Sequence, residues 1–377
     1  MKWTVHIEGG PRRVNHAAVC IDDKIYSFGG YCSTDEYKDW EPISVHMLDT
    51  STLRWVTVNY KKNEVSPFQR YGHSVVAYKH KVYMWGGRNN AVACDTLSCF
   101  DTIKLEWSTP IVSGMMPYAK DGHSACVIKN KMYIFGGFEY LTDQYSQDVH
   151  CLDLDTMEWK FINAHGTPPC HRDFHTAVPY YHRMYVFGGR GDLNSPYNSE
   201  QEIYCPQVYY FDTVTETWAN VYARGNWPEA RRSHSAWIYN DSMYIFGGLN
   251  AKTKTHFDDL YRYSIKGNYW QRLNVHGGPC KRRRQACLIY KDKVYLFGGT
   301  SPCTHNNTEV EDADDPEKLI DKCDLHVLDY APTLKTLSIL SVLKHNLDQS
   351  SLPQDIIIDI KTMTLPNRIS RPINQAG

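Results

Sequence analysis

A tryptophan recurs at Trp3, Trp55, Trp107, Trp159, Trp218 and Trp270, at intervals of 52, 52, 52, 59 and 52 residues. A chain with that regularity folds as an array of similar units, each burying its apolar face against a neighbour. A second landmark lies between successive tryptophans, an aromatic followed by two glycines: Phe28-Gly29-Gly30, Trp85-Gly86-Gly87, Phe135-Gly136-Gly137, Phe187-Gly188-Gly189, Phe246-Gly247-Gly248 and Phe297-Gly298-Gly299. Glycine fixed at one place in every copy marks a backbone that needs positive φ or close approach to a neighbour.

The second copy shows what a unit contains. His73–Tyr78 reads as a strand, Lys79-His80-Lys81 as a tight turn and Val82–Trp85 as a second strand; Thr96–Asp101 and the residues around Trp107 supply two more. Short aromatic and β-branched runs between turn residues are strand signals, and four per repeat make a propeller blade. A period near 50 residues is that of a kelch-type propeller. The tryptophans are expected to pack between blades.

Gly298-Gly299 has no tryptophan after it, and Lys335 stands where one is due. Trp3 is the missing member, so Trp3-Thr4-Val5-His6 is expected to form the outer strand of the last blade and close the ring, leaving few exposed edges. The fold expected is all-β, a six-bladed kelch β-propeller over residues 1–330, with a short α-helical module at 331–360 and a flexible tail at 361–377.

The net charge of −1 draws the chain to neither nucleic acid nor membrane. No run of eighteen apolar residues occurs, and Arg12, Arg13, Asp22 and Asp23 interrupt the first thirty residues, so neither a transmembrane helix nor a signal peptide is expected. Twelve cysteines without a CxxC pair suit reduced thiols in cytoplasm or nucleus. The sequons at Asn240 and Asn306 read as chance matches. His16, His73, His123, His175 and His234 recur at matched places, with Gln285 in the sixth; one per blade is poor geometry for a single tetrahedral site, so their role is structural and no metal or cofactor is expected. The acidic run from Glu309 to Glu317 reads as a solvated loop. No nucleophile elbow, phosphate loop or HExxH helix is present, and a non-catalytic protein is expected.

Loop lengths locate a binding face. The loops after each glycine pair are long and unlike one another, and they emerge on the same face as the segments that lead into each first strand. Variable loops on a rigid ring carry specificity. On this face Arg190 follows the fourth glycine pair, Arg231 and Arg232 lead into the fifth blade, and Arg283 and Arg284 into the sixth. Tyr31, Tyr71, Phe138 and Phe174 belong to the same face. Guanidinium groups suit a carboxylate or phosphate, and with aromatic walls they suit an extended peptide ending in a carboxylate. The alternative is ordinary ion pairing with Asp121, Asp173 or Glu229.

After Pro332 the period becomes helical, with Leu334, Leu337, Ser338 and Val342 on one face, and Ser351-Leu352-Pro353-Gln354-Asp355-Ile356 reads as a second helix start. The bland reading is a helical hairpin packed on the propeller. The stretch also resembles the elongin-binding box of cullin-RING substrate receptors, with Leu334 as the leading leucine, Ser338 in the slot usually held by cysteine and Val342 as the later aliphatic. Leu352, Pro353 and Ile356 look like the cullin box, and the lack of a second proline implies cullin-2 over cullin-5.

Behind a six-bladed ring, the two boxes identify the chain as similar to the kelch-repeat substrate receptors of cullin-2 RING ubiquitin ligases. That resemblance implies elongin B, elongin C, cullin-2 and a RING-box protein as partners, no membrane, a cytoplasmic and nuclear location, and substrates ending in a C-terminal glycine degron. It puts carboxylate binding on Arg190 and Arg232, and together with the face read from the loops the expected degron-binding residues are Arg190, Arg232, Arg283, Arg284, Tyr71, Phe138 and Phe174. A second arginine five residues beyond Arg190 is absent, Ser195 standing there, which leaves Arg283 or Arg284 as substitute. The chain's own end, Asn374-Gln375-Ala376-Gly377, suggests self-association through Gly377. Indirect association with chromatin is a further implication, and the other reading is a kelch adaptor, chromatin-associated or cytoskeletal, without a ligase.

Overall fold

The computed structural model describes residues 1–33, 36–302 and 319–370; the sequon at Asn306, the run from Glu309 to Glu317 and Gly377 lie outside them. Six sheets of four antiparallel strands each, three of them extended by a short parallel strand, form the blades, called I to VI in chain order. Blade II is Tyr71–Tyr78, Lys81–Arg88, Ser98–Asp101 and Glu106–Ser108. Its first two strands outrun the expected ones because Tyr71 pairs with Arg88 beyond the glycine pair. In blade VI, Lys2–Ile7 pairs antiparallel with Leu325–Asp329, ahead of Lys293–Phe297 and Ala286–Tyr290, so the N-terminal strand is the outer strand of the last blade.

The innermost strands neighbour one another in order, and that of blade VI also neighbours that of blade I. At the mouth of the central channel the backbone makes a circuit. The N–H of Asn15 donates to Arg284 O (3.2 Å), Gly72 to Asn15 (3.1 Å), Gly122 to Gly72 (3.0 Å), Phe174 to Gly122 (2.7 Å), Ser233 to Phe174 (2.8 Å) and Arg284 to Ser233 (2.9 Å). All six residues have positive φ, between 49° and 69°. That conformation is ordinary for glycine and uncommon for phenylalanine or arginine.

The two sequence landmarks prove to be one contact. Each outer-strand tryptophan packs on the aromatic that precedes the glycine pair of the preceding blade: Trp107 on Phe28 (5.8 Å), Trp159 on Trp85 (5.0 Å), Trp218 on Phe135 (4.7 Å), Trp270 on Phe187 (5.2 Å), Trp3 on Phe246 (6.0 Å) and Trp55 on Phe297 (4.9 Å). The core is therefore a set of interblade clusters. The glycines are needed for approach: a Cβ on Gly136 would sit 2.7 Å from Arg172 O and 2.8 Å from Cε1 of His175 in the next blade.

The recurring histidines tie blades together, as in the bonds between Ser74 Oγ and His123 Nε2 (2.8 Å), Ser124 Oγ and His175 Nε2 (2.7 Å), and Thr176 Oγ1 and His234 Nε2 (2.8 Å).

Two helices follow the ring, α1 (Leu334–Lys344), capped by Thr333 Oγ1 accepting from Thr336 N–H, and α2 (Gln354–Thr364), which follows Pro353. Ile339 and Ile360 are their buried residues. Residues 361–370, expected to be free, are not. The α2 helix continues to Thr364, and Arg54 of blade I caps its C-terminal carbonyls, donating to Lys361 O and Leu365 O at 2.9 Å each. Lysine and arginine near a helix C-terminus complement its unpaired carbonyls and dipole.

Asn367 then enters the seam between blades VI and I. Its N–H donates to Glu8 O (2.7 Å), and its Oδ1 accepts from Trp55 N–H (2.9 Å). At the seams leading into blades III, IV and V, a two-residue strand such as Ser113–Gly114 instead lies parallel and directly against the tryptophan strand. The tail thus fills, at the closing seam, the place that a blade linker fills elsewhere.

Candidate functional site

Three of the six channel residues, Asn15, Phe174 and Arg284, together with residues from the loops after the first four glycine pairs, surround a cavity of about 620 Å³ on the face the sequence indicated. Ring position dictates its lining. The residue after each glycine pair bridges to the residue two before the recurring histidine or glutamine, as in Val14 with Tyr31, Tyr71 with Arg88, Asp121 with Phe138, Asp173 with Arg190, Arg232 with Leu249 and Arg283 with Thr300. The next residue along is the positive-φ member of the circuit, so Phe174 and Arg284 present large side chains from positions where blades II and III have glycine. Strained backbone of this kind gathers at functional sites.

Of the residues expected to hold a peptide end, Tyr71, Phe138, Phe174, Arg190 and Arg284 line the cavity, with Tyr31, Tyr37 and Tyr140. Arg232 and Arg283 do not line it, contrary to expectation. Each stands one residue earlier, at the bridging position, and Arg232 Nη2 lies 3.4 Å from Glu202 Oε1. Arg231 is fully buried: it donates to Gly247 O (3.1 Å) and pairs with Asp259. The signal for this was available in the recurrence of arginine three residues before the histidine or glutamine. Arg70, Arg172, Arg231 and Arg282 are all buried, each donating to the carbonyl of the first glycine of a pair.

The two cavity arginines differ in their pairing. Arg190 Nε donates to Asp173 Oδ1 (3.0 Å), Nη2 to Asp173 Oδ2 (2.9 Å) and Nη1 to Glu202 Oε1 (2.9 Å). The Asp173 partnership is the ion-pairing alternative that the sequence left open. Arg284 Nη1 donates to the Tyr31 hydroxyl (2.6 Å), its guanidinium stands 5.9 Å from the Phe174 ring centroid, and among the described residues it has no carboxylate partner. Buried Asp121 lies near Asp173, and burial together with that like charge pushes its carboxyl up to about 7. Burial also raises Asp173, against the pull of Arg190.

The cavity thus offers a cation without a counter-ion among the described residues, two carboxylates with raised pKa values and a largely aromatic wall. A volume of this order suits a small ligand or a few residues of peptide. Among the described residues it contains no histidine or cysteine grouping suited to a metal.

The helical module presents a second surface. Leu334 is 81% exposed and Leu337 38% exposed, Ser338 is exposed, and Val342 is half-buried. The inward residue of α1 is Ile339, which the helical pattern had not singled out. Leu352 and Ile356 are half-buried and Pro353 is exposed.

Comparison with known proteins adds three findings. The family described as the KLHDC2/KLHL20/DRC7 kelch-repeats domain matches residues 72–299, and a kelch motif matches residues 12–62. Kelch domain-containing protein 3 of Bos taurus is 49% identical and that of Homo sapiens 48% identical, each over 99% of this chain and 98% of the relative. Host cell factor 2 of Homo sapiens is 28% identical over 71% of this chain and 35% of its own length. Among solved structures, that of YjhT matches with a TM-score of 0.60 at 15% identity, covering 78% of this chain and 92% of the other, a likeness of fold alone.

Proposed function

Because the chain belongs to the kelch-repeat family, alongside Kelch domain-containing protein 3, we propose that it is the substrate-recognition subunit of a cullin-2 RING ubiquitin ligase. The propeller cavity binds the C-terminal glycine of a substrate, and the helical module binds elongin B, elongin C and cullin-2, which with a RING-box protein complete the ligase. The observation that carries this reading is the Arg284 guanidinium, which has no carboxylate partner among the described residues, inside an aromatic cavity at the channel mouth. A charge-assisted bond to a carboxylate is about twice as strong as a neutral one.

In this reading Arg284 and the Tyr31 hydroxyl hold the terminal carboxylate, while Tyr71, Phe138 and Phe174 flank the last residues. Arg190 serves as a wall already neutralised by Asp173 and Glu202, and Arg232 and Arg283 contribute positive potential from the bridging positions. Glycine is selected because a close wall behind the clamp leaves a Cβ no space, an exclusion of competitors as much as an attraction of the ligand. The exposed leucines of α1 support the second half, since large apolar side chains gathered on one outward face mark a docking surface. The test is titration of the protein with three peptides of one sequence, ending in glycine, in alanine and in glycine amide. Binding of the first alone supports the reading, and equal binding of all three contradicts it.

A further inference from the structure

The rim of the cavity is not the same all round. Its lining among the described residues comes from blades I to IV and from Arg284 of blade VI, with none from blade V. Two lining residues, Tyr140 and Asn198, belong to the loops of blades III and IV, and their chain neighbours Leu141 and Tyr197 are 82% and 62% exposed. The matching loop of blade V, Ala251-Lys252-Thr253-Lys254, offers no large apolar side chain. Single exposed apolar residues are ordinary, but large ones on adjoining loops at a cavity mouth mark a contact surface.

We propose that a bound chain crosses the channel mouth from Arg284 and Tyr31 and leaves between the loops of blades III and IV, where Tyr140, Leu141 and Tyr197 select a large apolar side chain about five residues before the terminal glycine. This rests on the reading of Arg284 as the carboxylate clamp and adds to it the course of the ligand and a second determinant of its sequence.

The course follows from ring position. Six blades in sequence place the seam between blades VI and I, where Arg284 meets Tyr31, across the channel from the seam between blades III and IV. Side chains mark the way at even steps. The Arg284 guanidinium is 5.9 Å from the Phe174 ring centroid, the Arg190 guanidinium is 5.8 Å from that same ring, and it is 5.8 Å from the ring of Tyr145. Together these steps span no more than about five residues of extended chain. Tyr145 lies on the blade III ribbon beside Gln144, which bridges to Tyr197 of blade IV. A chain that reaches this point has passed the aromatic walls and next meets the exposed leucine and tyrosine.

The lip is held in place before any ligand arrives. The N–H of Tyr145 donates to Pro196 O (2.8 Å), which ties the two loops together. Arg88 Nη1 donates to the Tyr140 hydroxyl (2.7 Å), and its guanidinium stands 4.5 Å from the centroid of that ring. An apolar side chain therefore buries surface on the lip without first ordering a loop, and the gain appears as affinity.

The experiment is calorimetric titration of the full chain with a serine- and glycine-rich peptide ending in glycine, in which one leucine is moved from the third to the eighth residue counted back from the end. Leucine at the fifth or sixth residue should tighten binding about tenfold over serine at the same place. A Leu141→Ser, Tyr197→Ser variant should lose that difference between the leucine and serine peptides. A flat profile, a maximum elsewhere along the peptide, or the full preference kept by the variant overturns the proposal. The same peptides made as glycine amides separate the two claims. If the acids bind more tightly than the amides but show no leucine preference, the lip fails and the carboxylate reading stands; if acids and amides bind alike, both fail.

Discussion

Arg284 and Arg190 share one cavity in different surroundings, because among the described residues one guanidinium has no carboxylate partner and the other is held by two. Arg284→Ala should weaken binding of a glycine-ended peptide about 10- to 100-fold, corresponding to a charged hydrogen bond of about 1.5–3 kcal/mol. Arg284→Lys should recover only part of this, since an ammonium cannot match a carboxylate in bidentate fashion. Calorimetric titration of the three proteins checks the order.

Asp121 adds a pH dependence. Its carboxyl titrates near 7, facing Asp173, Arg88, Arg190 and the Tyr140 hydroxyl. It is mostly neutral at pH 6 and mostly charged at pH 8, so affinity for a carboxylate ligand should fall as pH rises between them. Asp121→Asn should flatten that slope in the same titration. Five of the seven side chains expected on this face line the cavity, because repeat position fixes which face a residue serves. The sequence could not show that Arg190 is occupied, since Glu202 reaches it from the far arm of the hairpin Arg190–Asp192 with Glu202–Tyr204, whose pairing the sequence did not indicate.

Among the elements, the tryptophan strands and the C-terminal tail do different work. Trp218 joins blade IV to blade III through Phe135 within a fully apolar cluster. Trp218→Ala should cost about 3–5 kcal/mol of folding stability, read from denaturant unfolding. Asn367 closes one seam with directed bonds to Glu8 and Trp55, and Asn367→Ala should cost about 1–3 kcal/mol by leaving a buried strand N–H without its acceptor. The strands, the place of Trp3 on the outer strand of the last blade and the first helix were legible because their spacing is periodic, and the second helix from the proline at its start. The docking of residues 365–370 was not, because Asn367 acts through its own backbone and amide, and no period announces such a contact.

For the whole molecule, the recurring histidines set an acid limit on stability. Burial pushes His16, His123 and His234 down to about 3, and His73 and His175 well below their ordinary value. Between pH 6.5 and about 3 the unfolded chain binds protons that the folded one does not, so their contribution is complete above 6.5 and is lost as pH falls through that window. The urea midpoint should therefore decline from pH 6.5 to pH 4 more steeply for the native chain than for a His16→Gln variant, which copies the glutamine that blade VI has at the same place.

A rigid ring with a cavity at its mouth, and a helix pair fastened to its closing seam by Arg54 and Asn367, is a suitable frame for holding one protein while presenting it to another. In the proposed reading the helix pair recruits a ligase, and co-purification of the full chain with elongin B, elongin C and cullin-2, beside a folded Leu334→Ala, Leu352→Ala, Pro353→Ala variant, decides whether it does. Stoichiometric recovery with the native chain and its loss in the variant is the predicted result. Recovery of none of the three with the native chain, or equal recovery with both, would contradict the claim and leave a kelch adaptor that binds its partners without a ligase.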